Sequence, residues 1–345
     1  MSTAGRLTRS LAVLYGAGAS AALGAVVVLG DGTAATYVAG LTAFWWLPPA
    51  LVVVPVAVAV RAWGVLAAVV APAVAAGALL GPLALPGRGG GSTDLRVATF
   101  NLTGTRGLDG LRLLVQRWQP DVLLLQEVST DARRYLDEHY PQYPHRWYGA
   151  ASRVGGDDGG GTDGDAVWST VPIASTRAVT GLPEGARPAH VVVLDAGALG
   201  GPAALPVLSL HLASPCLGCS PWGRENNPAG GTTEAARTRV AEARRYAQVA
   251  RELAAEGPVV LGGDLNSSDF NEPLRVLTGD GPDGGGLTDV HRAVGTRPQL
   301  TRGSNPGYAR VDVVLTAGME PVADAEGTAG GSTHAPVVAD LRWEG

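Results

Sequence analysis

Three long runs of apolar residues occupy the first quarter of the chain. They extend over about residues 11–30, 34–60 and 63–86, and none of them contains a charged residue. A helix needs about 20 consecutive apolar residues to cross a bilayer core. A soluble helix keeps a polar face, which these runs lack. The pattern therefore predicts a membrane anchor of three transmembrane helices within residues 1–88.

The first run also allows a second interpretation. Arg6 and Arg9 precede it and resemble the charged start of a signal peptide, which would be cleaved. The run is longer than a usual signal core and two further runs follow directly, so a membrane span is the favoured interpretation. Prolines inside the second run predict a kink, which neighbouring spans tolerate in lipid.

The few charges around the runs predict an orientation. Arg6 and Arg9 precede the first run, Arg61 separates the second from the third, and Asp31 separates the first from the second. Positive residues prefer the cytoplasmic side. Three crossings then place the N-terminus inside the cell and everything after Arg88 outside. We therefore expect a multi-pass protein of the cell membrane with an extracytoplasmic C-terminal domain.

The pattern changes after a glycine-rich linker at residues 89–94. Short apolar runs typical of buried strands alternate with two segments of helical spacing, Leu108–Trp118 and Thr233–Ala255. The predicted strands are 95–100, 121–126, 191–194, 207–210, 259–261, 311–315 and 337–341. Many strands with few helices favour an α/β fold of packed sheets flanked by helices.

Composition narrows the function further. The chain has a net charge of −5 and is 46% hydrophobic, which excludes a disordered protein. The first 88 residues carry +3, so the remainder carries −8, and we expect no stable nucleic-acid partner for such an acidic domain. Two cysteines exclude a disulfide-stapled scaffold and a four-cysteine zinc site.

Polar side chains recur where the predicted strands end. They are Asn101, Glu127, His211, Asp264, Asn266, Asp312 and His334. Carboxylates, amides and imidazoles form an oxygen-rich set that suits Mg²⁺ or Mn²⁺ and a phosphoester. In such a set an Asp orients or deprotonates water, and a His held by an Asp stabilises or protonates developing charge.

These residues stand in short motifs that carry a family resemblance. In chain order the motifs are Phe100-Asn101-Leu102, Gln126-Glu127-Val128, His211-Leu212, Gly263-Asp264-Leu265-Asn266, Arg310-Val311-Asp312 and Thr333-His334-Ala335-Pro336. The ordered set resembles the endonuclease/exonuclease/phosphatase superfamily from about Leu95 to Trp343. The resemblance implies a four-layer α/β/β/α sandwich over residues 95–345 and metal-assisted hydrolysis of a phosphoester.

The resemblance also implies a role for each residue. Glu127 would be the main ligand of a Mg²⁺ or Mn²⁺ ion, with Asn101 close to it; Asp264 would position or activate water, Asn266 would hold the phosphate, and Asp312 would orient His334, which contacts the phosphate. His211 stands where the family has a phosphate-contacting His or Tyr.

Two positions depart from the family pattern. The family usually has Ser-Asp-His before the final Ala or Pro, whereas this chain has Thr333 in place of the Asp. A hydroxyl is a weaker ligand for a hard cation than a carboxylate, so a second metal site is in doubt. Asp165 stands where the family often has Asn. An inactive relative that only binds its ligand is therefore one alternative.

A membrane anchor joined to such a domain resembles a smaller group, the membrane phosphatases of the teicoplanin-resistance type. That resemblance implies a phosphorylated lipid in the bilayer as substrate, such as undecaprenyl pyrophosphate, and a connection to the cell wall and antibiotic resistance. A membrane-tethered nuclease or phosphodiesterase is the other alternative.

Four further residues are candidates near the cleft. Arg106 and Arg224 are candidate phosphate contacts, although exposed arginines are common on any surface. Cys216 and Cys219 are spaced for a redox or zinc motif in the cytosol, but outside the cell a short disulfide is the simpler interpretation.

Overall fold

The computed structural model describes residues 3–84, 89–149, 164–215, 217, 227, 229–279, 281, 283–303 and 307–344. Its helices are α1 (Thr3–Leu29), α2 (Ala34–Leu41), α3 (Ala43–Trp46), α4 (Pro49–Ala59), α5 (Trp63–Ala84), α6 (Leu108–Trp118), α7 (Thr130–His139), α8 (Thr232–Ala254), α9 (Glu272–Thr278) and α10 (Val290–Val294). Its strands are β1 (Leu95–Asn101), β2 (Val122–Val128), β3 (His145–Tyr148), β4 (Gly164–Ser169), β5 (Ile173–Ala178), β6 (His190–Leu194), β7 (Leu205–His211), β8 (Val259–Asp264), β9 (Thr288–Asp289), β10 (Asp312–Ala317), β11 (Met319–Glu326) and β12 (Val337–Trp343).

The described strands form two six-stranded sheets that pack face to face. The first has the order β11-β12-β1-β2-β4-β3 and the second the order β5-β6-β7-β8-β10-β9. Side chains alternate along each strand, so Val97 faces the second sheet while Ala98 and Phe100 face the other way. Helices α6 and α7 cover the first sheet, and α8 and α9 cover the second. The predicted four-layer α/β/β/α sandwich is confirmed.

The direction of the central strands brings the ends of both sheets together. Strand β1 is parallel to β2 in the first sheet, and β7 is parallel to β8 in the second. Parallel strands end at the same edge of a sheet. The side chain of Gln126 joins the sheets near that edge, because its Nε2 donates to Oγ of Ser209 at 2.9 Å. The polar residues that end these strands therefore line one cleft.

The apolar N-terminal region contains two helices that are long and apolar enough to cross a membrane, Gly5–Leu29 and Trp63–Pro82. They pack closely, since a Cβ at Gly16 would lie 2.7 Å from Val69. Their large apolar side chains are exposed to an unusual degree, for example 79% for Val28 and 69% for Val74. Exposed apolar surface of this extent suits contact with lipid.

The second apolar run differs from the single helix predicted over residues 34–60. It forms the three helices α2, α3 and α4. The helix axis bends by 63° between residues 34–41 and residues 43–59. This part of the chain is a third membrane span only if the bent pair of helices is counted as one span. Pro48 and Pro49 have no N–H to continue the helix before them, whereas Pro49 suits the first turn of α4. The prolines thus separate α3 from α4, whereas the 63° bend lies earlier, at Thr42, between α2 and α3.

The two ends of the helical region differ in charge and in neighbours. Arg9 and Arg61 line one cavity at one end. Asp31 lies at the other end, buried against the sandwich, where its Oδ1 accepts a hydrogen bond from Asn271 Nδ2 at 2.9 Å. The chain therefore passes from the arginine end to the sandwich within α1.

Arg310, from the motif that contains Asp312, gives a stability prediction. Its guanidinium is buried and bonds Asp289 at 2.6 and 2.9 Å and Asp269 at 2.9 Å. Burial alone would raise the pKa of Asp289, but Arg310 holds that pKa below its ordinary value. We expect Arg310→Ala to lower the free energy of unfolding by about 3–5 kcal/mol, because two carboxylates lose their buried partner.

Chemical denaturation in detergent measures this loss. Arg134→Ala is the matched control, because Arg134 pairs with Asp131 on the surface of α7, where both side chains are largely exposed. Exposed pairs contribute little, so the control should unfold nearly as the wild type does. An equal, small effect of the two substitutions would contradict the structural role of Arg310.

Candidate active site

Carboxylate and amide groups from both sheets meet at the cleft. Asn101 ends β1, and its Nδ2 donates to Glu127 Oε1 at 3.1 Å and to Asp264 Oδ2 at 3.2 Å. The other amide atom, Oδ1, accepts from the backbone N–H of Thr103 at 3.0 Å. Asn101 and Asp264 are buried, whereas the Glu127 side chain remains 29% exposed. The cleft is therefore open on the Glu127 side.

His211 ends β7 and lies among three acidic side chains. Its Nε2 is 3.6 Å from Glu127 Oε1 and 3.8 Å from Asp264 Oδ2, and its Nδ1 is 3.6 Å from Asp165 Oδ1. Burial, reinforced by Arg187, lowers the pKa of His211 well below its ordinary value. The ring is therefore neutral at pH 7.

Asp312 and His334 form a buried pair that faces Asp264. Asp312 is the first residue of β10, directly opposite Asp264 in the register of β8 and β10. Its Oδ2 lies 2.9 Å from Nδ1 of His334, whose Nε2 lies 3.5 Å from Asp264 Oδ2. Thr301 Oγ1 accepts from the backbone N–H of Asp312 at 3.1 Å. The three ionisable groups thus form a fixed row.

The environment shifts the pKa values of this row. Burial raises the pKa of Asp264, and the neighbouring His334 only partly opposes that shift. Burial lowers the pKa of His334, but Asp312 and Asp264 outweigh it, so the net pKa of His334 is raised. A carboxylate with a raised pKa is a stronger base, and an imidazole with a raised pKa keeps its proton at higher pH.

Strained backbone is concentrated around the cleft. Five described non-glycine residues have a positive φ, and three of them are at the cleft: Thr103 (49°), Glu127 (52°) and Asn266 (49°). Such residues persist where the surrounding structure fixes them, and they cluster at functional sites. At Glu127 the strain coincides with an irregularity in the pairing of β2 with β4.

Asn266 lies two residues after Asp264 and is tied to it. Its backbone N–H donates to Asp264 Oδ1 at 2.7 Å, and its Nδ2 donates to the backbone oxygen of Leu212 at 3.0 Å. Both bonds fix the loop that follows β8 beside the end of β7.

Arg302 is a residue of the cleft that the sequence did not single out. Its Nη1 donates to Oγ1 of Thr333 at 2.9 Å and contacts Nε2 of His334. Burial lowers the pKa of Arg302, but Asp264 and Glu127 are among the charges that raise it overall. Its position depends on a bridge between residues 302 and 334, which joins segments distant from the strands that carry the motifs. No local sequence pattern predicts such a contact.

The other candidates have different outcomes. Arg106 lies exposed in the turn after β1, so its contact with phosphate stays a prediction. Arg224, Cys216 and Cys219 lie outside the described residues, and the phosphate contact and the disulfide stay predictions as well.

Two groupings of the cleft residues suit a cation. Among the described residues, Asp264, Asp312 and His334 place ligand atoms within 4.8 Å of one another. Asp312 and His334 already bind each other there, and all three are buried. Glu127 lies on the open side, and the buried Asn101 behind it donates its amide N–H to the carboxylates of Glu127 and Asp264. The open side leaves room for the waters that a hard divalent cation such as those of this family retains.

Comparison with known proteins agrees with this geometry. The family model described as "Endonuclease/Exonuclease/phosphatase family" matches residues 98–334, which contain every motif residue of the cleft. The chain belongs to the endonuclease/exonuclease/phosphatase family. Members of this family are hydrolases of phosphoester bonds and generally depend on a divalent metal. The comparison with curated proteins finds no match.

Solved structures of the family have the same fold. An endonuclease/exonuclease/phosphatase from Beutenbergia cavernae DSM 12333 is 22% identical, with a TM-score of 0.51 over 74% of this chain and 72% of that one. Humanised D. rerio TDP2 with 14 mutations is 19% identical, with a TM-score of 0.51 over 72% and 98%. The human Nocturnin catalytic domain with bound sulfate is 16% identical, with a TM-score of 0.51 over 72% and 93%. At these identities the likeness concerns the fold.

Thr333, where the family resemblance implies an Asp, belongs to a network of hydroxyl groups and the Arg302 guanidinium. Thr333 Oγ1 lies 3.0 Å from Oγ1 of Thr103 and accepts from Arg302. Ser332 Oγ donates to the backbone oxygen of Asn101 at 2.7 Å and so ties the His334 segment to β1. These bonds hold the segment of Thr333 and His334 against β1 and Arg302.

Asp165, where the family resemblance implies an Asn, has a neutral side chain at pH 7. Burial raises the pKa of Asp165 to about 8; Arg187 opposes the shift, and Glu127 and Asp264 add to it. The carboxyl group is therefore protonated at pH 7. A protonated carboxyl has a donor and an acceptor, as an amide has. A protonated Asp165 can therefore make the kind of hydrogen bonds that an asparagine would make.

This protonation predicts a pH dependence of stability. Between the ordinary pKa of 3.8 and about 8, folded Asp165 holds a proton that the unfolded chain loses. The folded state binds more protons there, so the free energy of unfolding falls as pH rises through that window. We expect Asp165→Asn to remove this fall and to stabilise the protein at pH 8 by on the order of a few kcal/mol.

Denaturation of the metal-free protein from pH 5 to pH 8 in a chelating buffer tests this. Asp131→Asn, at an exposed position on α7, is the control and should keep the wild-type pH profile. A profile of Asp165→Asn that parallels the wild type would show that Asp165 is ionised at neutral pH.

Proposed function

We propose that the protein is a membrane-anchored, outward-facing, metal-dependent phosphoesterase that hydrolyses a lipid-linked phosphate or pyrophosphate, such as undecaprenyl pyrophosphate. The observation that carries this proposal is the contact between the cleft and the apolar helices. Tyr37, at the start of the second apolar run, donates its hydroxyl to the backbone oxygen of Asn266 at 2.8 Å. A lipid-linked phosphate cannot leave the membrane surface, and a cleft held at the helices suits it.

In this proposal each residue of the cleft has its own role in the hydrolysis. Asp264 accepts a proton from the attacking water at Oδ2, which its raised pKa favours. Asp312 keeps His334 oriented through Nδ1, so that Nε2 faces the phosphate. Asn266 and His211 supply neutral contacts to the substrate. Each role rests on the family resemblance together with the distances in the cleft.

The proposed cation is Mg²⁺ or Mn²⁺, held by Glu127 with Asn101 beside it. The Glu127 carboxylate fits, since carboxylate oxygens are usual ligands of these ions. Asn101 turns its Nδ2 toward that carboxylate and its Oδ1 toward the N–H of Thr103, so it would hold Glu127 in place beside the ion. Such an ion would neutralise charge on the phosphate. Arg302 adds a positive charge next to His334, and we assign it a direct contact with phosphate, because guanidinium groups bind phosphate oxygens through paired hydrogen bonds.

Phosphate release is the decisive experiment. Full-length protein in detergent is given undecaprenyl pyrophosphate with and without Mg²⁺ or Mn²⁺, beside a Glu127→Ala, His334→Ala double variant. A matched control double variant changes the same residue types on exposed positions of α7, Glu138→Ala with His139→Ala. We expect metal-dependent release from the wild type and the control, and none from the cleft variant.

The alternative functions give other results in the same assay. Cleavage of bis-p-nitrophenyl phosphate or plasmid DNA without release from the lipid would favour a phosphodiesterase or nuclease. Folded protein that hydrolyses none of these substrates would indicate an inactive relative.

Reporter fusions test the orientation independently. We expect alkaline phosphatase fused after Gly91 to be active and a cytosol-only reporter at the same position to be silent. Arg9 and Arg61 at one end of the helices and the sandwich at the other support this arrangement. The reverse pattern would overturn the outward-facing proposal.

A further inference from the structure

Helix α2 is part of the apolar N-terminal region by sequence, yet it packs on the sandwich. Tyr37 is fully buried there in a small apolar cluster with Leu41, Ala236, Ala309 and Val311. The Arg239 guanidinium lies over the Tyr37 ring, 4.2 Å from its centroid. Arg239 is itself fully buried and belongs to α8. The helix therefore occupies a built interface.

The hydroxyl of Tyr37 reaches the strained part of the cleft. It donates to the backbone oxygen of Asn266, whose φ is 49°. The Asn266 N–H is bound by Asp264 and its side chain by the Leu212 carbonyl. A left-handed non-glycine residue costs on the order of 1 kcal/mol or more and persists only where its surroundings fix it. Of these three hydrogen bonds of Asn266, the bond from Tyr37 comes from the N-terminal helical region.

A second set of contacts fixes the rest of the same loop. Asn271 Nδ2 donates to Asp31 Oδ1 at 2.9 Å and to the Tyr37 backbone oxygen at 3.1 Å. Ser268 Oγ donates to the Gly40 backbone oxygen at 2.8 Å. A Cβ at Gly40 would lie 2.6 Å from Asn271 Nδ2, so the approach requires a glycine. The loop from Asp264 to Asn271 is thus bound to α2 at three residues.

We propose that α2 is a positioning element of the catalytic loop, with Tyr37 as a positioning residue that holds Asn266, and through it Asp264, in the reactive arrangement. The membrane anchor is then a part of the catalytic unit as well as a tether. The expected effect on kcat rests on the proposed phosphoesterase function. The expected ordering of the loop rests on the contacts alone.

Tyr37→Phe tests the proposal in the full-length protein, because it removes only the hydroxyl. We expect kcat for phosphate release to fall about three- to tenfold, the worth of one neutral hydrogen bond, with KM changed less than twofold. Tyr143→Phe is the matched control. Tyr143 is equally buried and donates to the backbone oxygen of Pro120 at 2.8 Å, away from the cleft. The control should lose similar thermal stability and keep its kcat.

Hydrogen exchange gives a readout that needs no activity. We expect amides of residues 265–271 to exchange about three- to tenfold faster in Tyr37→Phe than in the wild type, and at the wild-type rate in Tyr143→Phe. Gly40→Ala should have the same effect by pushing Asn271 away. Its control is Gly18→Ala, where a Cβ meets no atom within 4 Å.

The outcomes separate the two proposals. Wild-type protein that cleaves no phosphoester would overturn the proposed function, while the exchange rates would still decide the role of α2. Equal exchange in Tyr37→Phe and Tyr143→Phe, or a wild-type kcat in an active Tyr37→Phe, would overturn the positioning role.

Discussion

Replacement of His334 by alanine is expected to slow phosphoester hydrolysis by about two to four orders of magnitude. The imidazole is fully buried, its Nδ1 lies 2.9 Å from Asp312, and its Nε2 lies 3.5 Å from Asp264. Alanine removes the imidazole that lies between these two carboxylates. Steady-state rates at saturating Mg²⁺ measure the loss.

Asp312→Asn tests the contribution of the Asp312 charge while the size of the side chain is kept. The asparagine keeps the size of the side chain but removes the charge that raises the pKa of His334. The imidazole then loses its proton at lower pH. We expect a smaller loss of kcat than in His334→Ala, with the alkaline limb of the pH–rate profile moved to lower pH.

A second buried pair provides the control. His291 Nδ1 lies 2.7 Å from Asp324 Oδ2, and both side chains are almost fully buried, but they lie outside the cleft. His291→Ala should reduce stability and leave the kcat of the folded protein within about twofold. Similar losses of kcat in the two alanine variants would show that His334 acts only in folding.

The sequence predicts the layers and the strand ends well, because local hydrophobic patterns determine them. The run before Asn101 and the run before His211 each end in the polar residue that closes the strand. Helix α6 has the predicted limits, Leu108 and Trp118. Burial on one face with a period of 3.6 residues, or on both faces of a short strand, is visible in a single segment.

Features that depend on long-range pairing escape such patterns. Glu127 was expected to follow its strand, but it lies within β2 at a positive φ, since the mismatch with β4 is a property of two strands. The prolines of the second apolar run predict a kink, yet the docking of α2 on the sandwich follows from contacts with residues more than 200 positions away. Arg302 likewise reaches the cleft through contacts outside its own segment, with Thr333 and His334.

Removal of Arg302 is expected to lower kcat/KM for phosphate release by about 10- to 100-fold, mostly through KM. The guanidinium lies beside His334 and Thr333, and its charge acts on Asp264 and Glu127. A hydrogen bond from a charged donor to phosphate contributes roughly 1.5–3 kcal/mol, which corresponds to that range. Arg302→Lys keeps the charge but loses the paired donors, so it should recover only part of the affinity.

A purely electrostatic role for Arg302 predicts a change in the affinity for Mg²⁺ and no change in KM for the substrate. If Arg302 served only to balance the cleft carboxylates, Arg302→Ala would bind Mg²⁺ more tightly and keep the wild-type KM at saturating metal. Calorimetric Mg²⁺ titrations, combined with KM measurements, distinguish the two. Arg342→Ala is the control, since Arg342 pairs with Glu320 at the surface and touches no cleft residue among its described partners. A raised KM in Arg302→Ala alone would establish the guanidinium beside Thr333 as a substrate contact.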